Sequence, residues 1–534
     1  LITSLIELSL QTLTKDPHQR PTIAIIGERL ALVSLKAHFV AVTERFSHHV
    51  GSNPASVAHD RPNTKNLWFL QERFRAWGMA FALEETKISS HSLGDLARLH
   101  DKSIESMTAI FHHLEKGAPI NGNADDQYMF ETRIDQLVEI LWDLLPSNLL
   151  GRAEDYWHQA ILNTEDSEVL EAVHHALQSP YTVYNVADAI TKMRKIRLDM
   201  LRPDSFRSAE KAHTIQSSDI EFFSKGNYHT FGLHQGKEPV LVEGIRYTSA
   251  LEKMDPLQRD LVMDLKAKSL SVDPKPQGLR TLKCMGVLKG IGDKAEYGFV
   301  YRYPEGIESD PTTLLQQLVK AKNSKDRPLL DDKFYLAFAL ADFLKEFHTI
   351  GWLHENFNSH NVLLFKPPGE ASDPLGSNEL RRPYVVGLHK SRPDGSFWQT
   401  DGPSADVHLQ DYQHPDYASI GRYRLPFDYY SLGIVLLEVG LWRPLSSLLS
   451  KSQRLTSVEI RSKLKERCQS ELGAKMGGAY RDVVLRCIDG SLESDLSEVG
   501  LVVRDERLGD RTAALARFTI EVVEPLEKLA KALI

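Results

Sequence analysis

Residues 351–365 read GWLHENFNSHNVLLF. Before them, FYLAFALADFLKEFHTIGWLH (334–354) has the apolar density of a long buried helix, and VLLF (362–365) has that of a strand. The polar run HENFNSHN, from His354 to Asn361, therefore reads as a loop between a core helix and a core strand.

Working outward, the apolar pattern changes character twice. Past Thr214, PVLVEGIRY (239–247), QGLRTLKCMGVL (277–288) and EYGFVYRYP (296–304) read as strands, and DPLQRDLVMDLKAKS (255–269) reads as a helix. Between Ile25 and Met200 the spacing is helical instead. Leu67, Leu70, Phe74, Trp77 and Phe81 form one stripe, Ile104, Met107, Phe111 and Leu114 a second, and Ile134, Leu137, Leu141 and Leu144 a third. Each stripe needs a partner surface, which helices packed on one another supply. Turn-rich breaks fall at SNPASVAHDRPNT (52–64) and KGAPINGNADD (116–126), and Asn185 to Met200 starts a further helix rich in Lys and Arg. The expected fold class is α+β multidomain: a helical bundle, then a lobe of strands, then a helical lobe.

A chain of 534 residues exceeds one ordinary core, so two or three domains are expected. Hydrophobic residues at 42% and charged residues at 25% exclude global disorder, and a net charge of -8 argues against nucleic acid as a partner. Cys284, Cys468 and Cys487 are far apart and form no CxxC pair, which fits a reducing compartment and a cytoplasmic location. No zinc pattern is visible, and His112-His113 reads as a solvated helix face. The most apolar run, Leu432 to Leu441, is short for a membrane span and carries Glu438. The chain begins at Leu1 without methionine, which leaves open whether a segment, and a targeting signal with it, precedes Leu1.

The loop HENFNSHN resembles the catalytic loop of protein kinases, H-R-D-L-K-x-x-N, with His354 and Asn361 at the matching separation. PFDYYSLGIVLLEVGLW (426–442) is similar to the D-x-x-S-x-G helix at the centre of the kinase large lobe, through Asp428, Ser431 and Gly433. YQHPDY stands where A-P-E closes the activation segment, through His414, Pro415 and Asp416. The resemblance implies a bilobal protein-kinase-like fold over 214–534, with a small lobe at about 214–304 and a large lobe at about 305–534. It also implies that Asp428 holds the loop backbone, and that ATP and Mg²⁺ are the cofactors to test.

The groups that perform phosphoryl transfer are mostly replaced. The catalytic Asp position is Asn356, whose amide is no base, and loss of such a base costs roughly 10²- to 10⁴-fold. Arginine and lysine of the loop become Glu355 and Asn358. The metal-binding D-F-G aligns with Gly387-Leu388-His389, leaving Asp394-Gly395 as a distant substitute. VLVE places Glu243 where the phosphate-gripping lysine belongs, with Arg246 as the remaining cation on that strand. Two unit charges 4 Å apart interact by about 4 kcal/mol at an effective dielectric of 20, so reversing that sign is a serious penalty. FFSKGNYHTFGL offers Gly226 and Gly232 in place of a compact glycine-rich loop. Asn361 survives as a candidate Mg²⁺ ligand, without companions. The resemblance thus points to a pseudokinase.

Two further resemblances concern the first half. ERFRAWGMAFALEE, with Arg73, Trp77 and Gly78, resembles the R-x-x-x-W-G element of fungal HeLo domains, the helical bundles of HET-s/LopB-type cell-death proteins. The bundle is expected at 33–205. Membrane attack by an N-terminal apolar helix belongs to that family, and nothing in this chain supplies such a helix. The opening residues resemble the end of a kinase domain, D-P-x-x-R-P-[ST], through Asp16, Pro17, Arg20, Pro21 and Thr22, so 1–32 reads either as a remnant of a preceding kinase domain or as an ordinary helix–turn–helix.

The function expected is a fungal-type signalling protein whose kinase-like lobe acts as a protein-interaction switch in incompatibility or regulated cell death. By architecture it resembles the mixed-lineage-kinase-like effectors of animal necroptosis. Its partners would be proteins, including copies of itself through the helical domain. The alternatives are a divergent active kinase using Asn361 and a scaffold that binds no nucleotide. PPGEASDPLGSNELRR (367–382) reads as a surface insertion, and KSRPDGSFWQTDGPSADVH (390–408) as a mobile activation-segment equivalent offering Ser396, Thr400 and Ser404 for phosphorylation. FTIEVVEPLEKLAKAL (518–533) resembles the closing helix of the same fungal family and is expected to pack on the large lobe.

Overall fold

The computed structural model describes residues 20–50, 64–81, 83, 93–117, 124–164, 167–177, 185–201, 213–225, 229–245, 255–273, 275, 276, 278–289, 297–321, 327–366, 377–394, 402, 404, 406–449, 455–493 and 513–532. The chain is α+β, with helices in the N-terminal part and a mixed sheet in the middle, followed by further helices. It divides into two compact units, Leu1–Thr191 and Lys192–Ile534.

The first unit is built from α1 (Arg20–Val50), α2 (Thr64–Ala80), α3 (Leu93–Lys116), α4 (Ala124–Asp143), α5 (Ser147–Asn163), α6 (Ser167–Leu177) and the start of α7 (Asn185–Leu201). The point of division lies within α7, earlier than the sequence spacing places it. The boundary expected after Leu32 falls inside α1, which runs unbroken from Arg20. Asp16 and Pro17 lie outside the described residues.

The centre of this unit explains the R-x-x-x-W-G element. A spacing of four puts Arg73 and Trp77 on one face of α2, and both are fully buried. The Arg73 guanidinium lies over the rings of Trp142 and Trp157, at 5.2 and 5.3 Å from their centroids. Its Nη1 donates to Asp135 Oδ1 at 3.1 Å and its Nη2 to Glu139 Oε1 at 3.0 Å. Trp142 Nε1 in turn donates to the Arg73 carbonyl at 3.1 Å. A Cβ on Gly78 would run into the ring of Phe39, which stacks on Phe74 with centroids 5.1 Å apart. The motif therefore holds α1, α2, α4 and α5 together. His112 faces outward, whereas His113 stacks on Phe130 at 5.0 Å, so the pair is only half solvated.

In the second unit, β1 (Thr214–Ile215), β2 (Ile220–Lys225), β3 (Thr230–His234), β4 (Glu238–Ile245), β5 (Lys283–Lys289) and β6 (Tyr297–Arg302) form a sheet of order β1-β5-β6-β4-β3-β2. β1 runs parallel to β5, and the other pairs are antiparallel. Ile215, Ile220, Val240, Val242, Leu288 and Val300 form a buried cluster on the sheet, each worth about 1.5–3 kcal/mol of burial. Helix α8 (Pro256–Ser271) packs on β5; Asp255 caps it by accepting from Leu257 N at 2.9 Å, and Pro256 fits the first turn.

After the sheet come β7 (Thr312–Thr313), α9 (Leu314–Lys320), the buried α10 (Leu330–Thr349), β8 (Trp352–Leu353), β9 (Val362–Leu364), β10 (Pro383–Val385) and β11 (Arg392–Pro393). Then α11 (Leu425–Leu441), buried almost end to end, forms the axis of the helical part, with α12 (Ser457–Arg467), α13 (Gly478–Asp489) and α14 (Glu524–Lys531). The apolar run Leu432–Leu441 is thus an internal helix. Among the described residues no helix is long and apolar enough to cross a membrane. The C-terminal stretch packs where expected: Phe518 stacks on Tyr429 with centroids 4.0 Å apart, and α14 lies on α10 and α13. All three cysteines are free, buried thiols.

Candidate functional site

Asp428, in the first turn of α11, sits beneath the HENFNSHN loop. Its Oδ2 accepts from His354 N at 2.8 Å and its Oδ1 from Glu355 N at 3.0 Å. His348 Nε2 and Tyr423 Oη also donate to it, at 2.9 and 2.8 Å. Burial alone would raise the Asp428 pKa, but His348, His354 and these donors outweigh it and hold the carboxyl below its usual range. Ser431 Oγ donates to the Tyr412 carbonyl at 2.9 Å, and a Cβ on Gly433 would meet Cys487 Cβ at 2.7 Å, so both positions fix close packing around α11.

Within the loop the polar groups satisfy one another. Asn356 N donates to His354 Nδ1 at 3.3 Å, which makes that ring nitrogen an acceptor; burial pushes the His354 pKa down to about 4, and the ring is neutral. Asn361 Nδ2 donates to the Asn356 carbonyl at 2.8 Å, and Asn358 Nδ2 donates to Asn356 Oδ1 at 3.1 Å. Glu355 takes a positive φ of 61° and pairs with Arg392 on β11, both side chains being 6% exposed. These asparagines and this glutamate are thus engaged as architecture.

Glu243, on β4, is 1% exposed and accepts from the backbone N–H of Gly387. Tyr301 Oη donates to its Oε2 at 3.3 Å, and His389 Nδ1 lies 3.8 Å from that oxygen. Burial favours the protonated acid, but the His389 and His229 rings and the Gly387 N–H prevail, so its pKa lies below the usual value. Gly387 has φ of 85°, and a Cβ there would collide with the Asn361 amide. No carboxylate fits at position 387 while Asn361 stands where it does. His229, the residue before β3, is 6% exposed and comes down on the loop, its Nε2 3.1 Å from the His360 carbonyl. The structure therefore brings Glu243, Gly387, Asn361 and Asn356 together, with His229, His389 and Lys266 around them. Lys266 Nζ, from α8, donates to the His389 carbonyl at 3.1 Å.

The remaining candidates are placed as follows. Gly226, Arg246, Gly395, Ser396 and Thr400 lie outside the described residues. Gly232 is inside β3, paired with Phe222 and Val240, and so is a sheet residue; the loop role expected for it is corrected. Asp394 follows β11 with its N–H on the Gly351 carbonyl at 2.8 Å and its carbonyl on Arg197 Nη2 at 2.9 Å. Asp416 is an exposed helix-start residue after Pro415, while the buried His414 stacks on Phe427 at 4.5 Å. Ser404 is buried with its Oγ accepting from Asp406 N at 3.2 Å, which corrects its reading as an accessible phosphorylation site.

Sequence reasoning missed His229, Lys266 and Arg392, whose partners lie 131, 123 and 37 residues away. A signal for Arg392 was present: a glutamate at 355 in a core loop calls for a cation beside it, and Arg392 supplies it.

Among the described residues no group of three or more His, Cys, Asp or Glu is placed to hold a metal ion. Residues 301–530 match the model of a family described as a domain of unknown function (DUF7580). No curated protein matches the chain.

Proposed function

We propose that residues 214–534 are a bilobal kinase-like domain that has lost phosphoryl transfer and serves as a protein-interaction module in a cytoplasmic signalling protein. The single observation that carries this reading is the Glu243–Gly387 contact. Where a kinase needs a lysine for phosphate and an aspartate for metal, this chain puts a buried carboxylate against a backbone N–H, with Asn361 filling the space of any side chain at 387. The residues present do not fit Mg²⁺-ATP. Supporting the kinase-like reading are the antiparallel run β2-β3-β4, helix α8 inserted before β5, and Asp428 holding the loop from α11. The buried Arg73–Trp77–Gly78 arrangement supports a HeLo-like bundle before it, and protein partners, including self-association through that bundle, follow from the same resemblance.

The test is an autophosphorylation and generic-substrate assay of the full chain with Mg²⁺-ATP. The expected result is no transfer above background. Mg²⁺-dependent transfer that disappears in Asn361→Ala would establish the divergent kinase instead.

A further inference from the structure

Residues 386–394 follow β10 and carry a fastening at nearly every position. Val386 N donates to the Asn361 carbonyl at 2.9 Å, and Gly387 N to Glu243. The His389 carbonyl accepts from Lys266 at 3.1 Å, and Ser391 Oγ donates to the His354 carbonyl at 3.2 Å. Arg392 pairs with Glu355 while β11 pairs with β8, and Asp394 is tied at both its N–H and its carbonyl.

The polarity of these charges is the informative part. In protein kinases a strand lysine pairs with a glutamate on the following helix, and a phosphorylated segment is ordered by arginines. In this chain the strand carries Glu243 and the helix carries Lys266, while the loop carries Glu355 and the segment carries Arg392. The residue types are inverted at both places: the loop and segment form the Glu355–Arg392 ion pair, and Lys266 donates to the carbonyl of His389, whose ring lies beside Glu243. Ser391, the only hydroxyl residue of 386–394, is 1% exposed with its Oγ donating to the His354 carbonyl, so this segment offers no accessible site for an ordering phosphate.

We infer that residues 386–394 are held permanently by Glu243, Lys266 and the Glu355–Arg392 pair, so that the segment kinases order by phosphorylation is ordered here by the protein's own inverted charges. The inference rests on the kinase-like reading of this segment. It makes the position of this largely buried segment a constant feature of the protein and assigns any switching to another part of the chain. The buried pair is suited to this, because removing one partner leaves the other as an uncompensated buried charge.

The experiment is amide hydrogen exchange on the full chain, first as wild-type protein shown by mass to carry no phosphate. The N–H groups of Val386, Gly387, Ser391 and Asp394 are expected to be protected at least about 100-fold over a free peptide. Lack of protection in that sample would overturn the inference without any variant being made. In Lys266→Met and Arg392→Gln these amides should exchange about tenfold or more faster, the effect of losing a charge-assisted hydrogen bond, with α11 unchanged. Unchanged exchange in both variants, or equal acceleration across α11, would also overturn it. Binding of ATP by the wild-type chain would refute the proposed function and leave these exchange rates as a separate result.

Discussion

The Glu243 carboxylate accepts a hydrogen bond from the Gly387 backbone N–H, across 144 residues of chain. This contact joins β4 to the segment after β10, and on the proposed kinase-like reading it lies where a nucleotide site would need the opposite charge. Glu243→Ala should cost about 2 kcal/mol, because it leaves a buried N–H unpaired and removes a charge-assisted bond. Urea unfolding of the full chain measures this, and a change within error of zero would mean that the contact carries no stability.

On the proposed kinase-like reading, supplying an acid at position 356 alone should not confer phosphoryl transfer. Asn356→Asp is expected to show no phosphoryl transfer, since Glu243 and the Asn361–Gly387 packing remain. Transfer detected in that single variant would show that one residue had been the whole defect.

In the helical unit, Arg73→Met should destabilise by about 3 kcal/mol, because Asp135 and Glu139 lose their cation and both tryptophan rings lose a stacked partner. Partial exposure of the two carboxylates keeps the loss from being larger. Gly78→Ala should cost about 1–3 kcal/mol by overpacking against Phe39. Tryptophan fluorescence during unfolding follows both, through Trp142 and Trp157.

A pH dependence is expected from Glu438. Burial pushes its pKa up to about 7 from 4.5, against hydrogen bonds from Leu445 N and Tyr412. The folded state therefore prefers the neutral acid, and its contribution is full below pH 4.5 and is lost as pH rises through about 7. The shift corresponds to about 3 kcal/mol. Glu438→Gln should match wild type near pH 5 and exceed it in stability at pH 8, as measured by paired unfolding curves. His354 works in the other direction: depressed from 6.5 to about 4, it removes stability as pH falls across that window. Because His354 is present in both proteins, it cancels in the comparison.

The helices were legible because their stripes are local. Leu67, Leu70, Phe74, Trp77 and Phe81 recur on one face of the chain around α2, and all five are buried. The position of Asp428 was legible from its spacing to Ser431 and Gly433, which a single helix enforces. The polarity of the site was only half legible. Glu243 and Glu355 announced themselves, but Lys266 and Arg392 belong to elements whose approach depends on the fold. Polar composition misled at Ser404, where a loop-like sequence is packed down by its own turn. The role of Gly78 required knowing that Phe39 crosses α2 at that point.

The most direct measurement is the melting temperature of the full chain with millimolar ATP, with and without Mg²⁺. A ligand at 100 times its dissociation constant stabilises by about 2.7 kcal/mol, which moves a domain of this size by roughly 5 °C or more. A flat response in both conditions is the predicted result. A Mg²⁺-dependent rise would contradict the account, since it would require phosphate and metal to be held beside Glu243 and Gly387.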